Sequence, residues 1–199
     1  MTPEEIYNLF QLELDGETFD SDEDAEQEMN IAWRNLLSDR NWVKLKKTQT
    51  LSAGETDLTT ITDLDKVLKV WAVGDGGSTD RTPLIGGTFD DRFNLSFDYW
   101  IDHVNQTFNL IGDDNSYEED ELVVDYKYKP DDLALEDEND VSVFPAFAHP
   151  IIAYDMILAY KEKDENPDFY QTIERKRERL FDRLVLWNEQ LEDYAESQE

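Results

Sequence analysis

The hydrophobic period changes twice along this chain, and that double change limits the architectures open to it. Ala25, Met29, Ala32, Trp33, Leu36 and Leu37 recur at the spacing of one buried helix face. From Trp42 the period drops to two: Trp42-Val43-Lys44-Leu45-Lys46-Lys47-Thr48 alternates apolar and charged residues, as a half-exposed strand does. Residues 67–73, 97–101, 107–111 and 122–128 are further short β-rich runs. The second and third of these flank a polar stretch around Asn105, the pattern of a hairpin. Beyond Pro145 and Pro150 the helical period returns, first in the apolar residues 151–160 and then in a stripe of Ile173, Leu180, Leu184, Trp187, Leu191 and Tyr194. That stripe spans about three heptads and is interrupted by Arg177, which fits a bundle face better than a long coiled coil.

Local signals agree with this reading. Thr2-Pro3-Glu4-Glu5 has the form of a capping box with proline at the first helical position. Ser21-Asp22-Glu23-Asp24 places acids at the positive end of a second helix, which should end near residues 39–41. Asn166-Pro167 opens the last helix. The expected fold is α+β. Residues 1–41 and 144–199 form one helical bundle, and residues 42–143 form an inserted antiparallel β barrel or sandwich with acidic loops.

Charge narrows the partners. The chain holds 48 acids against 18 Lys and Arg, a formal net charge of −30. Nonspecific attraction to nucleic acid or to an anionic membrane is excluded, since both carry the same sign. The excess is uneven: residues 1–30 hold eleven acids and no Lys or Arg, while residues 111–140 hold thirteen acids against Lys127 and Lys129. Residues 34–47 and 175–183 are locally basic. A solvated acidic surface is the first reading, and adaptation to high salt a second. Five Trp, nine Tyr and ten Phe show that the chain folds despite its charge. It has no Cys, so disulfides and thiolate metal sites are excluded. No apolar run approaches ~18 residues and the first residues lack a signal-peptide pattern, so a soluble protein made where it is used is expected.

Catalytic signals are thin. His103 falls in the expected hairpin turn and His149 precedes Pro150, so both have structural readings. Gly74-Asp75-Gly76-Gly77-Ser78-Thr79-Asp80 lacks the lysine of a phosphate loop, and its two aspartates would repel the ligand. Asp113-Asp114-Asn115 opens like a calcium loop, yet Glu118 and Val124 stand where that loop needs Gly and Glu. Among 48 acids, close carboxylate pairs arise by chance. Trp100 beside Tyr99 could stack on a sugar. Trp33 and Trp187 fall on apolar helix faces, as core residues do. No cofactor and no metal are expected.

Four stretches, in this order and spacing, resemble the head-to-tail adaptor proteins of tailed bacteriophages, short-tailed ones especially. They are Ala32-Trp33-Arg34-Asn35-Leu36-Leu37-Ser38-Asp39-Arg40-Asn41-Trp42-Val43-Lys44-Leu45, Lys66-Val67-Leu68-Lys69-Val70-Trp71-Ala72-Val73, the pair Phe97-Asp98-Tyr99-Trp100-Ile101-Asp102 and Thr107-Phe108-Asn109-Leu110-Ile111, and Val123-Val124-Asp125-Tyr126-Lys127-Tyr128-Lys129-Pro130-Asp131-Asp132-Leu133, followed by Phe144-Pro145-Ala146-Phe147-Ala148-His149-Pro150. The resemblance implies a structural virion protein, made in the host cytoplasm, that forms a ring of about twelve copies beneath the portal protein. It implies a tail or nozzle protein as second partner, and DNA passing through the channel without specific binding. On this reading Leu184, Trp187, Leu191 and Tyr194 are the candidate portal interface, and Tyr99, Trp100 and His103 the candidate tail-facing surface. Two other classes stay open: an acidic DNA mimic that inhibits a nucleic-acid-binding protein, and a carbohydrate-handling domain.

Overall fold

The computed structural model describes residues 1–53, 55–73, 81–87, 90, 96–102, 105–111, 121–138, 141, 143–160 and 166–196. It divides into two compact units, Met1–Lys44 with Asp131–Glu199, and Leu45–Pro130.

The first unit is helical: α1 (Pro3–Glu13), α2 (Asp22–Ser38), α3 (Pro150–Tyr160) and α4 (Pro167–Glu196). Their starts follow from the sequence. Thr2 Oγ1 accepts the Glu5 N–H at 3.2 Å while Glu5 accepts the Thr2 N–H at 3.1 Å, which completes the capping box. Ser21 Oγ accepts the Asp24 N–H at 3.1 Å, and Asn166 Oδ1 accepts that of Phe169 at 3.3 Å. α1 ends in two left-handed residues, Asp15 and Gly16, which turn the chain sharply toward α2. That turn is held by rings: Phe10 stacks on Phe19 at 4.9 Å, and Tyr160 at the end of α3 lies edge-on to both.

α3 is apolar on every side except at Asp155 and sits at the centre, with Ile151, Ile152, Ala153, Tyr154, Met156 and Ile157 buried against α1, α2 and α4. All six apolar positions read from α2 are buried as well. Residues 131–135 run along α2 in the opposite direction. Trp33 Nε1 donates to the Asp131 carbonyl at 3.2 Å, and Arg34 pairs with the Asp132 carboxylate. Asn30 both donates to the Leu133 carbonyl and accepts its N–H, at 2.9 and 2.7 Å. Glu26 accepts the Leu135 N–H at 2.8 Å.

The second unit holds β1 (Lys46–Leu51), β2 (Leu64–Val73), β3 (Arg81–Leu84), β4 (Gly86–Gly87), β5 (Tyr99–Asp102), β6 (Thr107–Leu110) and β7 (Glu121–Tyr128). One antiparallel sheet has the order β1-β7-β2-β3, and a smaller one the order β4-β5-β6. β5 and β6 form the expected antiparallel hairpin. Both sheets contribute to one core, in which Leu51, Val70, Leu84, Tyr99, Phe108 and Val124 are buried together. The α+β class expected from the sequence holds.

Three details depart from the sequence reading. Trp42 is not in a strand. Its indole N–H donates to the Leu36 carbonyl at 2.8 Å, and the next N–H, of Val43, goes to Asn188 Oδ1 of α4 at 2.8 Å, so β1 begins only at Lys46. β3 and β4 were not marked by any apolar alternation. β4 pairs with β5 in parallel, because the Asp98 carboxylate takes the Ile85 N–H at 2.7 Å and steers the chain there. A side chain at Gly86 would meet the Tyr99 ring at 2.7 Å, so the close approach requires glycine.

Candidate functional site

Among the described residues no three His, Asp or Glu side chains gather as a metal site. His149 is 3% exposed. Its Nε2 faces the Phe144 carbonyl at 2.9 Å and its Nδ1 the Met1 nitrogen at 2.8 Å, so both ring nitrogens are engaged in structure. A hollow of about 340 Å³ in the helical unit is lined by Thr18, Phe19, Asp20, Asp24, Gln27, Glu28 and Tyr160. Its lining is chiefly carboxylates and aromatic rings, and it contains no histidine. His103, residues 74–80 and residues 113–115 lie outside the described residues.

A carboxylate of the helical unit has a perturbed setting. Asp155 on α3 is pushed above the usual carboxylate range by burial, although Arg177 of α4 donates to it at 2.9 and 3.4 Å; Asp39 adds to the upward push. Arg177 also lies 4.7 Å from the Phe181 ring. That explains why an arginine interrupts the apolar stripe of α4: it faces a carboxylate from the central helix.

The stripe itself changes character along the helix. α4 has 30 residues, a length of about 45 Å. Ile173 and Leu184 are fully buried. Trp187 and Leu191 are half-buried, and Tyr194 is 67% exposed. Leu186, which the stripe did not include, is 58% exposed. Asn188 is the last buried residue of α4, held by the Val43 N–H. The structure therefore brings Trp187, Leu191 and Tyr194 to an open surface at the end of α4 and places Leu184 beneath them in the core.

In the β unit Tyr99 is 8% exposed and stacks on Phe108 at 4.6 Å. Burial, then the neighbouring Asp98, pushes its phenol above the usual tyrosine range. Trp100 is half-buried. Lys47, Asp63 and Tyr126 form a polar tie across the strand ends: Lys47 pairs with the Asp63 carboxylate, which also accepts the Tyr126 hydroxyl at 3.0 Å. Asp125 joins three strands, accepting Thr48 Oγ1 at 2.7 Å and Trp71 Nε1 at 3.1 Å. Neither tie was legible as a motif, since each depends on the register between strands far apart in sequence.

The sequence profile of the SU10 adaptor protein family matches residues 1–198, nearly the whole chain. No curated protein matches it.

Proposed function

Because the chain belongs to the SU10 adaptor protein family, a family of phage head-to-tail adaptors, we propose that it forms a ring of about twelve copies in the neck of the virion. The portal protein lies on one side, a tail or nozzle protein on the other, and DNA passes through the middle. The observation that carries this reading is the family match across residues 1–198. Exposed surfaces of the two units support the reading. The end of α4 presents Tyr194 to solvent beside the half-buried Trp187 and Leu191, an apolar stripe with room for a partner. It is assigned here to the portal. On the β unit, Trp100 is the candidate for tail contact, with His103 following it in the chain. The acid excess gives the ring a field that repels phosphates, so that DNA slides without sticking. The role is structural, and no turnover is assigned.

Truncation tests the portal contact. The cut must fall after Asn188, whose side chain holds the Val43 N–H. Removing residues 190–199 should leave a folded chain, by circular dichroism and thermal melt, that no longer joins purified portal on gel filtration. A truncated chain that joins the ring normally would refute the assignment.

A further inference from the structure

The register of the four-stranded sheet gathers positive charge on one face of the β unit. Leu122, Val124 and Tyr126 of β7 belong to the core, so Glu121, Asp125 and Lys127 occupy the opposite face. Residues paired across an antiparallel ladder share a face. The pairings add Lys46 from β1, Lys66 and Lys69 from β2, and Arg81 from β3. Among the described residues this face thus holds Lys46, Lys66, Lys69 and Arg81 exposed and Lys127 nearly buried, against Glu121, Asp125 and Asp65, in a chain whose balance is −30.

Much of the local acid is already engaged. Asp125 is taken up by Thr48 and Trp71. Lys46, Lys127 and Lys66 lie side by side on three neighbouring strands, and like charges in register cost stability. A bulge between Leu64 and Lys66 places Asp65 within 3.8 Å of Lys127. Lys66 and Lys69 are exposed, and Lys69 rests 5.7 Å from the Trp71 ring.

We propose that this face docks an acidic surface of a second copy of the chain, with Lys66 and Lys69 as the central contacts. Charge complementarity selects that occupant. Copies carrying −30 each repel, so contact between them needs a place where cations of one meet acids of the other. The chain carries both halves. Residues 1–30 hold eleven acids and no Lys or Arg, and Asp20, Asp22, Glu23 and Asp24 at the start of α2 are exposed. Two different patches on one molecule make a head-to-tail contact, the kind that closes into rings.

The proposal rests on the ring reading above, and one experiment separates the two. The full chain is mixed with purified portal, the complex is isolated, its copies are counted by mass, and a carbodiimide joins lysines to touching carboxylates. The expected result is a link between copies from Lys66 or Lys69 to acids within residues 20–24. The K66E/K69E variant should bind portal yet lose that link and assemble about tenfold less well or worse. Adding Asp22→Lys and Glu23→Lys to the same chain should restore assembly. A K66E/K69E variant that builds full rings would overturn the surface while leaving the ring reading intact. So would links that avoid the sheet, or a variant that loses only DNA retention. If the unaltered chain never associates with portal, the ring reading fails and this surface falls with it.

Discussion

Trp42 is fully buried, and its indole N–H donates to the Leu36 carbonyl, one of the last-turn oxygens that α2 leaves without an internal donor. Its ring lies edge-on to Phe144 at 5.1 Å and to Phe181 at 6.2 Å. Trp42→Ala should cost about 3–5 kcal/mol in denaturant unfolding. Trp42→Phe keeps a ring but leaves that carbonyl without its donor, for a loss of about 1–3 kcal/mol. Equal losses in the two variants would mean that the lost hydrogen bond, and not the packing of the ring, accounts for the whole effect. Asp155 gives a second test. Burial raises its folded-state pKa above the unfolded value, so the ionised carboxylate lowers stability at neutral pH. That deficit fades as pH falls through the folded value toward the unfolded one. Asp155→Asn should therefore melt at or above the parent at pH 7, with the difference shrinking toward about pH 4. Arg177 keeps the Phe181 ring in the variant. A marked loss at pH 7 would show that the ion pair outweighs the burial.

At the scale of elements, β1, β2 and β7 are joined near one end by Lys47, Asp63 and Tyr126. The lysine holds the Asp63 pKa below the usual range, burial opposes this, and the Tyr126 hydroxyl adds to the lowering; Asp63 in turn raises Lys47. Both shifts keep the tie intact through neutral pH. Its stabilisation is lost in acid as pH falls through the folded value of Asp63, and in alkali as pH rises through that of Lys47. Lys47 is 47% exposed, so Lys47→Met should remove only about 0.2–1 kcal/mol at pH 7 and make the acid limb of the stability curve shallower. An unchanged acid limb would assign it to other carboxylates. Elements with a strong period or a cap could be read from the sequence: the apolar face of α2, the Thr2 box, the β5–β6 hairpin. Trp42 was misread because alternation cannot reveal that a helix end captures the indole. β3 contains Pro83 and β4 is Gly86-Gly87, so neither carries a run of side chains to read. Residues 131–135 belong to no helix or strand, and their partners are polar side chains on α2, which no period marks. On α4 the spacing found the stripe, yet only packing decides that Leu184 is core while Tyr194 faces water.

For the whole molecule the governing quantity is a net charge of −30. Self-repulsion of that size opposes compaction, and salt relieves it by shortening the screening length from about 10 Å at 0.1 M to about 3 Å at 1 M. The melting temperature of the isolated chain should rise over that range, by about 2–4 °C for each kcal/mol regained. Divalent cations should act at lower concentration. A flat response would place the acids too far apart to matter. Tension raises a different demand. The β unit is joined to the helical one by two stretches of chain, and each is fastened where it leaves the helices. Residues 42–43 are held by Leu36 and Asn188, and residues 131–135 by Glu26, Asn30, Trp33 and Arg34. A pull on the β unit is thus shared by two moorings. If one slips, the other still ties the chain to the helices, which raises the effective concentration of the parted groups and favours their re-forming.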